Sequence, residues 1–160
     1  MKRLSAVLLG LILSAPAIHG VFAETSPGDA TGLVTVESAH DVPTTVDRLV
    51  TAAEAKGLTI FARIDHAAGA EEVGMELPPM QLVIFGTAKV GTPLMQCDRT
   101  AGIDLPLKAL IWEDADGKVL LGYNTSAWLA SRHDLEDCAP ALAKIGDALA
   151  ALASEATTNQ

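Results

Sequence analysis

Apolar positions are densest between Ile103 and Tyr123, IDLPLKALIWEDADGKVLLGY, where the runs Leu105 to Trp112 and Val119 to Tyr123 flank a polar stretch from Glu113 to Lys118. This pattern predicts a β-hairpin, with Gly117 in the left-handed turn position. Both runs are apolar on both faces, broken chiefly by Lys108. Each strand is therefore expected inside a sheet that helices cover on at least one side.

Upstream, Leu33 to Ser38 reads as a strand. Asp41-Val42-Pro43-Thr44 opens a helix, with Pro43 in the first turn where its missing N–H costs nothing. Val46, Leu49, Val50 and Ala53 recur at helical spacing, and Gly57 supplies the stop. Leu58 to His66 alternates as a strand, with Leu58, Ile60, Ala62, Ile64 and His66 on one face and Thr59, Phe61, Arg63 and Asp65 on the other. Ala67 to Pro79 is expected to be a connection and Met80 to Phe85 the next strand. Gly86 to Val90 is a turn, and Thr92-Pro93 begins a short helix ending near Cys97. After the hairpin, Thr125 or Ser126 caps a short helix through His133. A last helix, from about Asp137 to Ser154, carries the stripe Leu142, Ile145, Leu149 and Leu152.

This order predicts an α+β fold, a single antiparallel sheet with helices packed on one face, rather than a parallel doubly wound sheet. The second sheet face is then left to be polar, ligand-covered or used in self-association. The apolar hairpin positions favour the last two.

The N-terminus changes the picture of the compartment. Met1-Lys2-Arg3, the apolar stretch Leu4 to Ile18 and Val21-Phe22-Ala23 have the form of a secretory signal peptide over residues 1–23. Its apolar part is too short to span a bilayer comfortably, and no cysteine lies at the cleavage site, so no stable membrane anchor is expected after processing. Residues 24–32 are then a flexible leader, 33–154 a single domain and 155–160 a frayed tail, in a protein that is periplasmic or secreted. The full chain has 20 acidic and 11 basic residues, net charge −9. Processing removes two basic residues, Lys2 and Arg3, and takes the balance to −11. Nucleic acid is thereby excluded as the expected partner.

Cys97 and Cys138 are the only cysteines. In an oxidising compartment a disulfide is the default, and a metal-binding thiolate pair the alternative.

Asp65-His66-Ala67-Ala68-Gly69-Ala70, Phe85-Gly86 followed by Gly91-Thr92-Pro93-Leu94-Met95, and Ile103-Asp104-Leu105-Pro106 with the Trp112-Glu113-Asp114 hairpin form three ordered motifs. Together they resemble the bacterial domain-of-unknown-function 302 family, from about Val34 to His133. The resemblance implies a fold like that of the TATA-binding-protein group, in the order strand, helix, four strands, helix. It brings no established activity, and the fold analogy does not extend to DNA binding on an acidic surface.

No phosphate loop, dinucleotide fingerprint, Gly-x-Ser-x-Gly elbow, His-Glu-x-x-His helix or haem-attachment motif is present. The remaining candidates are scattered. Asp65, His66, Met95, Asp104 and Tyr123 are the candidate ligand-binding residues. His66, Met75, Met80 and Met95 are a candidate soft-metal set, for which copper is the fitting ion because thioether and imidazole ligands suit it. Three functions follow: a non-catalytic exported module for a small molecule or metal ion, with a homodimer expected; an enzyme using His66 as acid or base; or a structural subunit that binds an exported protein partner.

Overall fold

The computed structural model describes residues 31–159. The expected signal peptide and residues 24–30 of the leader lie outside them. Five strands, β1 (Leu33–Glu37), β2 (Thr59–Asp65), β3 (Met80–Gly86), β4 (Leu107–Glu113) and β5 (Val119–Asn124), form one antiparallel sheet in the order β1-β5-β4-β3-β2. The hairpin β4–β5 is central, and Gly117 makes its turn at φ 76°. Helices α1 (Val42–Ala55) and α5 (Ala139–Thr157) lie along one face. The expected α+β order, strand, helix, four strands, helix, is the observed one.

Alternation along the strands decides what each face carries. Val83, Phe85, Ala109, Ile111, Leu121 and Tyr123 point to the helices and are buried there with Val46 and Leu49 of α1 and Ile145, Leu149 and Leu152 of α5. The opposite face carries Leu82, Leu110, Trp112 and Leu120, all half-buried, and Ile64, which is exposed. Gly122 is buried because the Trp112 indole lies across it, so that a Cβ there would sit 2.9 Å from the ring.

Four local expectations are corrected. The alternation expected for 58–66 breaks at a bulge between Ile60 and Ala62. Ile60 pairs with Phe85, on the helical side, whereas Ala62 and Ile64 pair with Ile84 and Leu82, on the open side. The strand then stops at Asp65, whose carboxylate accepts the Ala68 N–H and caps a short helix, α2 (His66–Glu72), inside the expected connection. The third helix, α3 (Ala88–Cys97), begins at Thr87 and takes Pro93 into its interior. The last helix continues through Thr157, with Ala156 and Thr157 buried. Arg48 holds that end by donating to the carbonyls of Glu155, Ala156 and Thr158, which have no partner within the helix. As expected, Thr125 caps the remaining short helix, α4 (Ser126–Arg132).

Candidate functional site

Where β3 ends, the chain leaves the sheet at Gly86, enters α3, makes a 3-10 turn at Arg99–Ile103 and returns through Leu105-Pro106 to β4. Phe85 and Leu107 are paired strand neighbours, so this excursion folds back over its own origin. It encloses a cleft of about 210 Å³. Phe61, pushed out at the β2 bulge, with Val90, Met95, Leu105 and Pro106, gives the cleft apolar walls. Phe61, Val90 and Met95 are the exposed ones, at 56%, 37% and 36% of their surface.

The cleft is open because glycines line it. A Cβ at Gly91 would lie 3.7 Å from a Leu105 methyl and 4.0 Å from the Met95 methyl. One at Gly102 would meet the Met95 sulfur at 3.4 Å. Side chains at either place would therefore fill the space that is there.

Thr87 is part of the lining. It is the N-cap residue of α3, yet its hydroxyl makes no cap bond; Oγ1 is buried with no hydrogen-bond partner. Behind it a second apolar hollow of about 80 Å³ reaches Leu58 and the α5 residues Ile145, Leu149 and Leu152. Both spaces touch Gly86, Thr87, Val90 and Leu107, so Thr87 is a partition between them.

The α3 wall is fastened at its far end. Cys97 and Cys138 are bonded, with Cα atoms 6.5 Å apart, joining the end of α3 to the start of α5. Beside them His133, buried, bonds through Nε2 to Asp104 Oδ2 at 2.6 Å and through Nδ1 to Thr100 Oγ1 at 2.8 Å. The Thr100 hydroxyl is also 2.8 Å from Asp98 Oδ2, and the Asp134 N–H donates to that same oxygen. Thr100 has one hydroxyl proton and two neighbours that can accept it. Arg132 adds a contact to Asp104 at 3.0 Å and lies 5.3 Å over the Trp128 ring.

The backbone N–H and the hydroxyl of Thr100, with lesser help from Asp134 N–H and His133, hold the Asp98 carboxyl below its ordinary pKa of 3.8. Burial alone pushes the Tyr123 phenol above 10.0.

The sequence candidates do not assemble into one site. Asp65 spends one oxygen on the Ala68 N–H and the other on the Gln81 amide, so it caps a helix and makes no dyad with His66. His66 and Met80 sit at one end of β3, whereas Met95 lines the cleft at the other, roughly 20 Å away at ~3.4 Å per residue. Met75 is exposed in the loop after α2. The four soft ligands are thus not convergent. Among the described residues no group of three or more His, Cys, Asp or Glu side chains is placed to hold a metal ion. Tyr123 is a core residue between Val34 and Ala109, and Asp104 belongs to the His133 cluster.

Sequence reasoning missed His133 and Thr100, although a signal for them existed in the cysteines. A bond between Cys97 and Cys138 brings residues just after 97 against those just before 138, and those segments hold Asp98, Thr100, Asp104 and His133. It also missed the cleft, because the helix that walls it was placed too late in the chain.

The family model for Domain of unknown function DUF302 matches residues 34–152. The chain belongs to this family. The crystal structure of an uncharacterized conserved DUF302 protein from Bacillus stearothermophilus superposes with a TM-score of 0.69, covering 78% of this chain and 98% of that one at 19% identity. That likeness establishes the shared fold. Curated relatives carry a different name. A protein named Fluoride-specific ion channel FluC 1 from Brucella suis biovar 1 (strain 1330) is 55% identical over 104 residues, which is 65% of this DUF302 chain and 41% of the relative. Fluoride-specific ion channel FluC 2 of Brucella melitensis biotype 1 has the same identity, over 38% of its own length. The chain therefore spans about two fifths of these relatives.

Proposed function

We propose that this DUF302 protein is an exported, non-catalytic module that binds a small, mostly apolar molecule in the cleft under α3. One observation carries the reading: an open apolar cleft whose lining includes Thr87, a residue with a buried hydroxyl that has no partner. At ~30 Å³ per water, 210 Å³ has room for about seven waters, which a compact hydrocarbon group displaces favourably. A single polar atom on such a ligand would give Thr87 the bond it lacks after a small rotation of its side chain. No titratable side chain lines the cleft, so its lining offers a bound molecule no general acid or base. The His133 cluster has the groups of a relay but is buried and engaged in holding the loop.

The test is fluorescence titration with the apolar probe N-phenyl-1-naphthylamine. Saturable binding with a micromolar Kd, weakened about tenfold or more by Gly91→Phe, is the expected result. No saturation by ~100 µM, or full binding by the filled variant, removes the cleft as a ligand site.

A second reading is favoured by the curated relatives. In them, the part like this chain is joined to further sequence under the name of a fluoride channel, and among the described residues no helix is long and apolar enough to cross a membrane. We infer that the domain is the extramembrane companion of such a channel, with the conducting part in the unmatched length. Deleting the domain from the Brucella suis relative should alter fluoride tolerance in growth assays; unchanged tolerance counts against the companionship.

A further inference from the structure

We propose that the molecule taken by the cleft is an anionic amphiphile, an apolar body carrying one carboxylate, with the carboxylate held where α3 begins. This rests on the cleft being a ligand site, and it adds the charge and the direction of what lies there.

The cations of the chain carry the inference. Among the described residues, Lys56, Arg63, Lys118 and Arg132 are each paired with a carboxylate. Arg48 and Lys108 donate to backbone carbonyls. Lys89, Arg99 and Lys144 are left with no ion pair or hydrogen bond, in a chain of net charge −9. All three stand on or beside the wall of the cleft. Lys89 lies in the first turn of α3 between Ala88 and Val90, which both line the cleft, and Arg99 opens the 3-10 turn at the other end of that helix. Lys144, on α5, lines the hollow behind Thr87 together with Val90. Two ammonium groups on two different elements therefore flank Thr87. No carboxylate lines either space, and the nearest ones along the chain are engaged, Asp98 with Thr100 and Asp104 with His133 and Arg132. Unpaired positive charge gathered at one place on an acidic protein favours a ligand of the opposite sign there.

Neutral donors lie between the two lysines. Thr87 Oγ1 is buried without a partner, and Ala88, the first residue of α3, has a backbone N–H with no acceptor inside the helix. A carboxylate accepts from donors of both kinds, and the start of a ten-residue helix adds its own partial positive charge. An alcohol would satisfy the Thr87 hydroxyl equally well but would draw nothing from the lysines.

The rest of the ligand must be apolar. Phe61, Val90, Met95, Leu105 and Pro106 offer it no charge and no hydrogen bond from a side chain. At ~30 Å³ for a water-sized group, 210 Å³ takes about seven of them, so a body of about that many carbons fills the cleft. Lys89 and Lys144 are both exposed, so a carboxylate beside them keeps part of its hydration and escapes the full cost of burying a charge.

Calorimetric titration with octanoate and with 1-octanol at pH ~7, in ~20 mM and in ~500 mM NaCl, tests this beside the N-phenyl-1-naphthylamine titration. At low salt octanoate is expected to bind about fivefold or more tightly than 1-octanol. The preference should vanish at high salt, and in Lys89→Gln with Lys144→Gln the affinity for octanoate should fall to that for the alcohol. The salt series needs no substitution, so it decides the matter even if a variant fails to fold. Octanoate should not bind Gly91→Phe. Equal affinity for acid and alcohol, with the naphthylamine probe still saturating, overturns the charge assignment and leaves the cleft a ligand site. No saturation by any of the three compounds overturns both together. A preference that survives both lysine substitutions, or octanoate bound by Gly91→Phe, puts the acid elsewhere and overturns the proposal as well.

Discussion

Asp98 shows how far single residues can be read from sequence. Its neighbours in the chain suggested nothing, yet Oδ1 takes the Thr100 N–H at 2.8 Å while Oδ2 takes the Thr100 hydroxyl and the Asp134 N–H. These donors favour the carboxylate and keep its folded pKa below 3.8, whereas unfolding restores the ordinary value. As pH falls, the unfolded chain therefore takes up this proton first. The stabilisation from Asp98 is complete above about pH 5 and is lost as pH falls through the folded pKa. Asp98→Asn has no such proton to bind. Calorimetry from pH ~5 to ~2 should show Tm falling more steeply in the parent than in the variant; equal slopes would mean that the bonds to Asp98 do not favour its charge. Asp65, expected on the strand face opposite His66, finds its partners in the Ala68 N–H and the Gln81 amide. A carboxylate at a strand-to-helix junction finds backbone N–H groups closer than any adjacent side chain, because successive side chains diverge there.

At the scale of elements, legibility followed length and periodicity. The hairpin, α1 and α5 each repeat their apolar pattern over two or more turns or strand periods, and the structure has them where the pattern puts them. Short elements were hidden. Four of the seven residues of α2 are alanine or glycine and none is a large apolar side chain, so no stripe distinguishes them from a loop. In α3 the dipeptide Thr92-Pro93 has the form of a helix start, but the helix had already begun at Ala88 and accommodates Pro93 inside. Val90 and Gly91 therefore lie inside the helix that walls the cleft, where the pattern put Val90 in a turn and Gly91 ahead of the helix. The bulge at Phe61 left no trace in the alternation, since Ile60, Phe61, Ala62 and Ile64 are apolar on either reading. The tail also ran against expectation. Its residues are small and polar, but Arg48, 107 to 110 positions away, caps the helix end and a local reading cannot include it.

For the whole molecule the controlling link is the disulfide, because it decides how rigidly the cleft wall is held against the core. The bond closes 41 residues, including the 3-10 turn, both central strands and α4. Most of that loop is anchored independently by the sheet, whereas α3 packs on the 3-10 turn and on the start of α5 and has no strand partner of its own. Chain entropy assigns a loop of this length about 4 kcal/mol, which for a domain of this size is a fall in Tm of roughly 15 °C on reduction. The reduced protein should still melt cooperatively, since the buried core around Phe85, Ile111 and Leu149 is built from the sheet, α1 and α5, and of the two cysteines only Cys138 belongs to it. Hydrogen exchange should then show where the constraint acted. Amides of residues 88–104 are expected to lose protection in the reduced protein and in Cys97→Ser with Cys138→Ser, while those of β3, β4 and β5 retain theirs. Uniform loss across the sheet would instead make the bond a support of the core as a whole. The His133 cluster would then be the remaining fastening of the α3 wall, spanning the same two segments through Asp98, Thr100 and Asp104.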